Sequence, residues 1–509
     1  MIHPSARSEQ HKIGEFITEL REKRGITQSE LAKALKTSQS AVARMEKGEQ
    51  NFSTEMLSKI SSVLNQEIIT LGSGAINFQI EGGHKLHGKI KTRTAKNSAV
   101  ALLCASLLNK AKTTFKDMPQ IEEVFRVIEI LESIGAKIIW NNKDIEITPP
   151  KKIKISALNT DAAIKTRSVI MLIGPLVHLL NNFRLPHPGG CKLGKRSIRA
   201  HLFALEKLGI KIKTHTDAYH ISKNKSLNPA DIVMYESSET GTENVLMAAA
   251  KIRGKTVIKL APAGYQVEDL CRFLEKLGVK IEGIGTTTLT VYGKKEINTP
   301  AAFRPSEDPI ESMLFLSIAA TTGSSITIER CPIDFLELEL LKLEKMGFKY
   351  KIPKRYRSEN GFTNLVDIET IPSNLTALEE KIYARPMPGL NPDNLPFFVP
   401  IATQAKGTTL IHDWIYENRA IYYMELNKLN AEIILADPHR VFVNGPTELQ
   451  PAEIICPPAL RPAVIILIAM LAGKGTSILR NVYSINRGYE DLVNRLNKLG
   501  AKIKILKGI

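Results

Sequence analysis

The sequence predicts an α/β protein in which one α/β unit is used six times, preceded by a small all-helical domain. The main observation is a phrase that closes six helix-like runs: LESIGAKI from Leu131, LEKLGIKI from Leu205, LEKLGVKI from Leu274, LEKMGFKY from Leu343, LNKLNAEI from Leu426 and LNKLGAKI from Leu496. Each reads as an amphipathic helix ended by a left-handed cap residue (Gly, or Asn430 in the fifth copy) and followed by a short β-branched strand. The copies recur at roughly 70–80 residues, longer than solenoid periods and long enough for a complete βα unit. A second observation is that the stretch before about Leu71 holds no copy and reads as helix throughout.

Composition narrows the class. Hydrophobic content of 43% and charged content of 24% are ordinary for a soluble globular chain. No apolar run reaches the roughly 18–20 residues of a spanning helix; Pro462 to Ala472 is too short and reads as a buried helix. The opening MIHPSARSEQHK lacks the apolar core of a signal peptide. Five scattered cysteines without a CxxC argue against a disulfide framework or zinc site and for a reducing cytosol. The first seventy residues hold ten Lys and Arg against nine Glu, so sixteen of the +17 net charge lie in the repeats. That excess fits a basic cleft for anionic substrates or a lysine-rich solvated surface.

In the head, Ile13, Phe16, Ile17 and Leu20 share one face of a first helix that stops at Gly25. Thr27 and Glu30 form a capping box for a second helix through Leu35. After a turn at Lys36 and Thr37, a third helix (SQSAVARMEKG) ends at Gly48 with Ala41, Val42 and Met45 turned inward. A fourth, from Ser53 to Leu64, turns Met56, Leu57, Ile60 and Val63 inward. GITQSELAKALKTSQSAVARMEKGEQ resembles the helix-turn-helix of the Cro/repressor-like family. That resemblance implies duplex DNA as a partner, with Gln28 on a phosphate and Ser38, Gln39, Ser40 and Arg44 facing bases. A net charge of +1 is small for a DNA footprint, and the competing reading is a helical module that binds protein.

In the repeat region the most specific local signal is LPHPGGCKLGKRSIRAH, Leu185 to His201. Pro and two glycines make an irregular loop before Cys191. Lys192, Lys195, Arg196 and Arg199 surround the thiol with positive charge, which favours thiolate and attracts phosphate. Cys104, in AVALLCASLL, reads instead as a buried structural thiol. Lys96 and Asn97 open an apolar helix; a lysine there opposes the macrodipole unless an anion sits beside it. Arg419, Arg461 and Arg487 stand at repeat boundaries.

Six repeats, the KN pair, the PGGC loop and a late RGYE together resemble the UDP-N-acetylglucosamine enolpyruvyl transferase family over about residues 75–507. The resemblance implies two inverse α/β domains of three βαβαββ units each, with the site in the cleft between them. It divides the chain into a head (1–70), a linker LGSGA (71–75), a domain of 76–95 with 305–509 that carries the general base, and a domain of 96–304 that carries the reactive cysteine. It implies phosphoenolpyruvate and UDP-N-acetylglucosamine as partners, and no cofactor, metal or membrane. Cys191 would protonate the methylene carbon of phosphoenolpyruvate, and Asp393 would take the sugar hydroxyl proton. Lys96, Arg196 and Arg487 would clamp phosphate and carboxylate. Asn97, Arg167, His201 and the segment Ser197, Ile198, Arg199, Ala200 would hold the nucleotide sugar, with Ser238 and Thr242 at its diphosphate and Ile415 beside the sugar. Arg419 and Arg461 would help close the cleft.

The chain departs from the family pattern at four places: KLAPAGYQ (259–266), SEDPIESM (306–313), ALRP (459–462) and Thr240 in the diphosphate loop. The residues of bond-making remain, while several supports of the nucleotide sugar are replaced. Two alternatives stay open: a transferase with another hydroxyl acceptor, and a DNA-binding regulator that uses the enzyme fold as a ligand sensor.

Overall fold

A computed structural model of the chain describes residues 13–15, 17–22, 25–49, 56, 59, 60, 63, 76–187, 189 and 198–506. It comprises two compact units, a head and the body Ile76–Leu506. In the head, the helix Gln28–Leu35 begins with the expected box: Thr27 Oγ1 accepts from the Glu30 amide, and the Glu30 carboxylate accepts from the Thr27 amide. The helix Gln39–Glu46 is capped by Ser38 and buries Ala41, Val42 and Met45. These pack with Ile17, Leu20, Leu31, Leu35 and Ile60. Glu46 is buried too, paired with Arg21 at 2.5 Å and accepting from Gln28 at 2.8 Å. Phe16, Leu57, both ends of the expected fourth helix and the linker lie outside the described residues.

Among the described residues the body is built from six small sheets. Five share one order: a strand parallel to its neighbour, then two antiparallel additions, the last being the strand of the repeat phrase. Thus Ala301–Phe303 runs parallel to Thr113–Phe115, which pairs antiparallel with Asp144–Thr148 and that with Lys137–Asn141. The sheet Asn182–Pro186, Ala218–Lys223, Ile210–Thr214 shows only the antiparallel part among the described residues. All six phrase-closing residues have positive φ, from +66° at Asn430 to +105° at Gly135, which lets the chain reverse from helix into edge strand.

Nearly all-apolar helices fill the interior between the sheets. Leu460–Ala472 buries every residue from Arg461 to Leu471, and Pro309–Thr322 is buried along its whole length. A helix apolar all round belongs in a core rather than at a surface. No helix among the described residues is long and apolar enough to cross a membrane.

Two separate cores result. One gathers residues between Ala99 and Phe303; the other joins Phe78, Ile80, Leu86 and Ile90 to residues 310–503. The chain therefore crosses between lobes twice, and the crossings are tied together. Thr94 and Glu307 form an antiparallel bridge, Ala95 N donates to Ser306 O at 2.8 Å, and Asp308 N donates to Arg93 O at 2.8 Å. Beside them Arg495 forks onto buried Glu311 at 2.6 and 3.1 Å and donates to Lys91 O. Replacing Arg495 by Met strands the Glu311 carboxylate in the core, so Arg495→Met should lower unfolding stability by about 3–5 kcal/mol in urea titration.

Candidate active site

The crossings deliver the first turns of buried helices from both lobes to one place. Lys96–Ala105 and Leu460–Ala472 start at Ala95 and Ala459, whose side chains cap nothing, so their first amides are left for other partners. Pro309–Thr322 is capped by Asp308, which accepts from Ile310 N at 2.8 Å. Burial pushes the Asp308 carboxyl up to about 6 against the opposing charge of Arg461.

Asp393 stands at the centre. Its amide is fixed by Asn391 Oδ1 at 2.9 Å, and the loop is anchored where Asn394 Nδ2 donates to buried Glu339 at 2.7 Å. Arg461 donates from Nη2 to Asp393 at 3.0 Å and from Nη1 to the Tyr489 hydroxyl at 2.6 Å. Arg419 approaches Asp393 to 3.9 Å but is itself fully buried. It is held bidentate by Asp413 at 2.6 and 2.8 Å, donates to Pro392 O at 2.7 Å and lies 4.0 Å from the Tyr416 ring centre. Arg419 thus fixes the backbone that carries Asp393. Burial raises the Asp393 carboxyl, but the charges of Arg461, Arg419 and Lys96 outweigh it and leave it at about 2.

The second cluster centres on Glu123, on the helix Glu122–Ser133. Its carboxylate accepts from Thr166 Oγ1 at 2.5 Å, Ser168 Oγ at 3.2 Å and Arg487 Nη2 at 3.0 Å. Burial raises this carboxyl, yet the charge of Lys96, the Thr166 bond and Arg487 keep it below the usual range. One carboxylate thereby gathers Lys96 and Arg487, leaving a net positive charge for an anion. Three residues past Arg487, Glu490 meets Lys143 and the Gln120 amide, joining the lobes at the same end of the cleft.

On the remaining side, Asn97 Nδ2 donates to the Tyr265 hydroxyl at 3.2 Å. His201 is buried, bonded to Asn244 at 3.1 Å and Thr240 at 3.3 Å, and burial with nearby Arg167 depresses it to about 3, so it stays neutral. Ser238 caps the helix Glu239–Ala249, and Thr242 is fully buried one turn in. Burial, with Asp393 nearby, lifts Glu239 to about 7. Arg167 and Ile415 are half-buried, Ile198 and Ala200 buried, and Arg199 exposed. Cys191, Arg196 and Ser197 lie outside the described residues. The structure therefore brings together Asp393, Arg419 and Arg461, pairs Arg487 with Glu123, and sets Lys96 within electrostatic reach of both carboxylates. Sequence reasoning did not find Glu123, Tyr265, Asp413 or Tyr489. Glu123 follows another glutamate at a helix start, a place where acids are commonplace, and Asp413 gains meaning only from Arg419 folding onto it.

The family model for EPSP synthase (3-phosphoshikimate 1-carboxyvinyltransferase) matches residues 80–496. The UDP-N-acetylglucosamine 1-carboxyvinyltransferase of Treponema denticola is 34% identical over 431 residues, covering 84% of this chain and 99% of that protein. The chain belongs to this enolpyruvyl transferase family. A Bacteroides thetaiotaomicron member of the same name is 32% identical over 437 residues, covering 84% of this chain and 99% of its own. Among solved structures, the enolpyruvyl transferase NikO from Streptomyces tendae superposes with a TM-score of 0.75 at 23% identity, over 86% of this chain and all of that one. EPSP synthase from Acinetobacter baumannii gives 0.68 at 16% identity, over 85% of this chain and all of its own. These two likenesses establish the enolpyruvyl transferase fold for the body. A helix-turn-helix model matches residues 17–71, ahead of the family's own span.

Asp393 titrates near 3.8 when free and near 2 in the folded protein. Its ionised form therefore adds stability that is complete above about pH 4 and lost as pH falls through about 2. Urea denaturation between pH 2 and 5 should show this decline in the native chain and a shallower one in Asp393→Asn.

Proposed function

We propose that this chain transfers the enolpyruvyl group of phosphoenolpyruvate to the 3-hydroxyl of UDP-N-acetylglucosamine, releasing phosphate, in the cytosol. The observation that carries the reading is the pairing of an arginine-held carboxylate, Asp393, with Lys96 and Arg487 across one cleft. Relatives named for this activity match over nearly their whole length. The four described cysteines are buried free thiols, in keeping with a reducing compartment.

Lys96 and Arg487 hold the phosphate and carboxylate of phosphoenolpyruvate, joined by Arg196 from the Cys191 loop. Asp393 takes the proton of the attacking hydroxyl as its oxygen bonds to the central carbon. The Cys191 thiol gives its proton to the methylene carbon, which becomes a methyl group in the adduct. Loss of phosphate and of one methyl proton then restores the carbon–carbon double bond in the product. Arg167, the Ser197–His201 segment, Ser238, Thr242 and Ile415 hold the nucleotide sugar, and Arg461 with Arg419 keeps Asp393 aimed at the hydroxyl. Purified chain should release phosphate from the two substrates, and Cys191→Ser should lower kcat by at least about 100-fold with phosphoenolpyruvate binding retained. Binding of both substrates without turnover would favour the ligand-sensor reading.

For the head we propose duplex DNA as the partner, read by the helix Gln39–Glu46. Gln39, Ser40 and Arg44 lie on that helix after Ser38, and Gln39 donates to Gln28 at 2.8 Å, bracing the contact residues of two helices. In anisotropy titrations of the full chain against a duplex selected from a random library, Arg44→Ala should weaken binding about 10-fold. Equal affinity would reassign the head to a protein partner.

A further inference from the structure

Tyr265 lies in KLAPAGYQ, where the chain leaves its family's pattern, and it is the first residue of the helix Tyr265–Lys276. Its side chain is 2% exposed, with its ring edge-on to Phe335 of the other lobe at 5.8 Å. The same loop joins the lobes where Ala263 N donates to Met387 O at 3.3 Å. The phenol oxygen accepts from Asn97 Nδ2 at 3.2 Å, which leaves its own hydrogen to be donated. Among the described residues no acceptor lies within bonding distance of it. A buried hydroxyl hydrogen without an acceptor is costly unless a ligand supplies one. Burial, then the charges of Asp308 and Asp393, raise the phenol well above its ordinary value against the opposing Arg461 charge, so it stays a donor.

Resting on the acceptor assigned above, we infer that Tyr265 orients the acceptor sugar by donating a hydrogen bond to the oxygen of the hydroxyl that Asp393 deprotonates. The attacking oxygen accepts from Tyr265 through one lone pair, gives its proton to Asp393 and keeps its second lone pair for the central carbon. Tyr265 is thereby a specificity determinant that the family pattern does not supply, placed where nucleotide-side motifs are replaced. A site built to bond an oxygen discriminates strongly against a ligand that lacks it.

The test compares calorimetric binding of UDP-N-acetylglucosamine and its 3-deoxy analogue to the native chain and to Tyr265→Phe, which keeps the ring against Phe335. The native chain should prefer the hydroxylated ligand, and Tyr265→Phe should shrink that preference about 10-fold through weaker binding of the hydroxylated ligand alone. In turnover, the KM for the acceptor should rise by a similar factor, with the KM for phosphoenolpyruvate unchanged. An unchanged preference in Tyr265→Phe, or equal weakening of both ligands, overturns the role, and a fall in Tm alone marks Tyr265 as structural. A native chain that binds phosphoenolpyruvate but neither nucleotide sugar overturns the assigned acceptor instead, and this role with it.

Discussion

The body depends on one constraint: its two lobe crossings are hydrogen-bonded to each other. Thr94 with Glu307, Ala95 with Ser306 and Arg93 with Asp308 make a short two-stranded tie between the cores. Chemistry-bearing residues follow directly from it. Lys96 and Asn97 are the next residues along one crossing, and Asp308 opens a buried helix at the end of the other. Lys96 belongs to one core's helices and Asp393 to the other core's loops, so the tie fixes where the two meet. Two further contacts join the lobes beside the tie: Arg487 with Glu123, and Glu490 with both Lys143 and Arg93.

The architecture also explains why charge collects there. A helix leaves the amides of its first turn without intrahelical partners, and here several buried helices start at the cleft. Their unpaired amides and positive ends favour anions. The protein's own carboxylates meet that field first, and their fates differ with their partners. Asp393, between Arg461 and Arg419, is held near 2, whereas Asp308 rises to about 6 and Glu239 to about 7. Burial disfavours charge in all three, and the Arg461 bond with the nearby Arg419 charge holds Asp393 far below the other two.

Much of this was legible in the sequence because the repeat phrase encodes a geometric event. A left-handed residue between helix and strand is a local requirement, so Gly135, Gly209, Gly278, Gly347, Asn430 and Gly500 mark six unit ends through their residue type and spacing. The capping box at Thr27 and Glu30 was legible for the same reason. Lys96 was legible because a lysine opening an apolar helix breaks a local rule. What could not be read were partnerships across long sequence separations. Glu123 meets Arg487 across 364 positions, and Arg461 meets Asp393 across 68. Tyr265 belonged to a segment legible only as a departure; its meaning appears when folding sets it on Asn97 and leaves its hydrogen without an acceptor among the described residues.

An aspartate near 2 is a feeble base, and the cleft's own electrostatics supply the remedy. The charges that depress Asp393 are Arg461, Arg419 and Lys96. Arg419 is held by Asp413, a permanent buried partner that offsets part of its field at Asp393. Among the described residues Lys96 has no such bidentate partner and shares its field with Glu123, and the anion proposed to bind beside it brings phosphate and carboxylate charge into the same low-dielectric space. Each negative charge added there offsets the field of Lys96 and repels the Asp393 carboxylate, raising its proton affinity. The base therefore strengthens when the donor substrate is in place. Before that the same arginines hold it ionised and fixed in place.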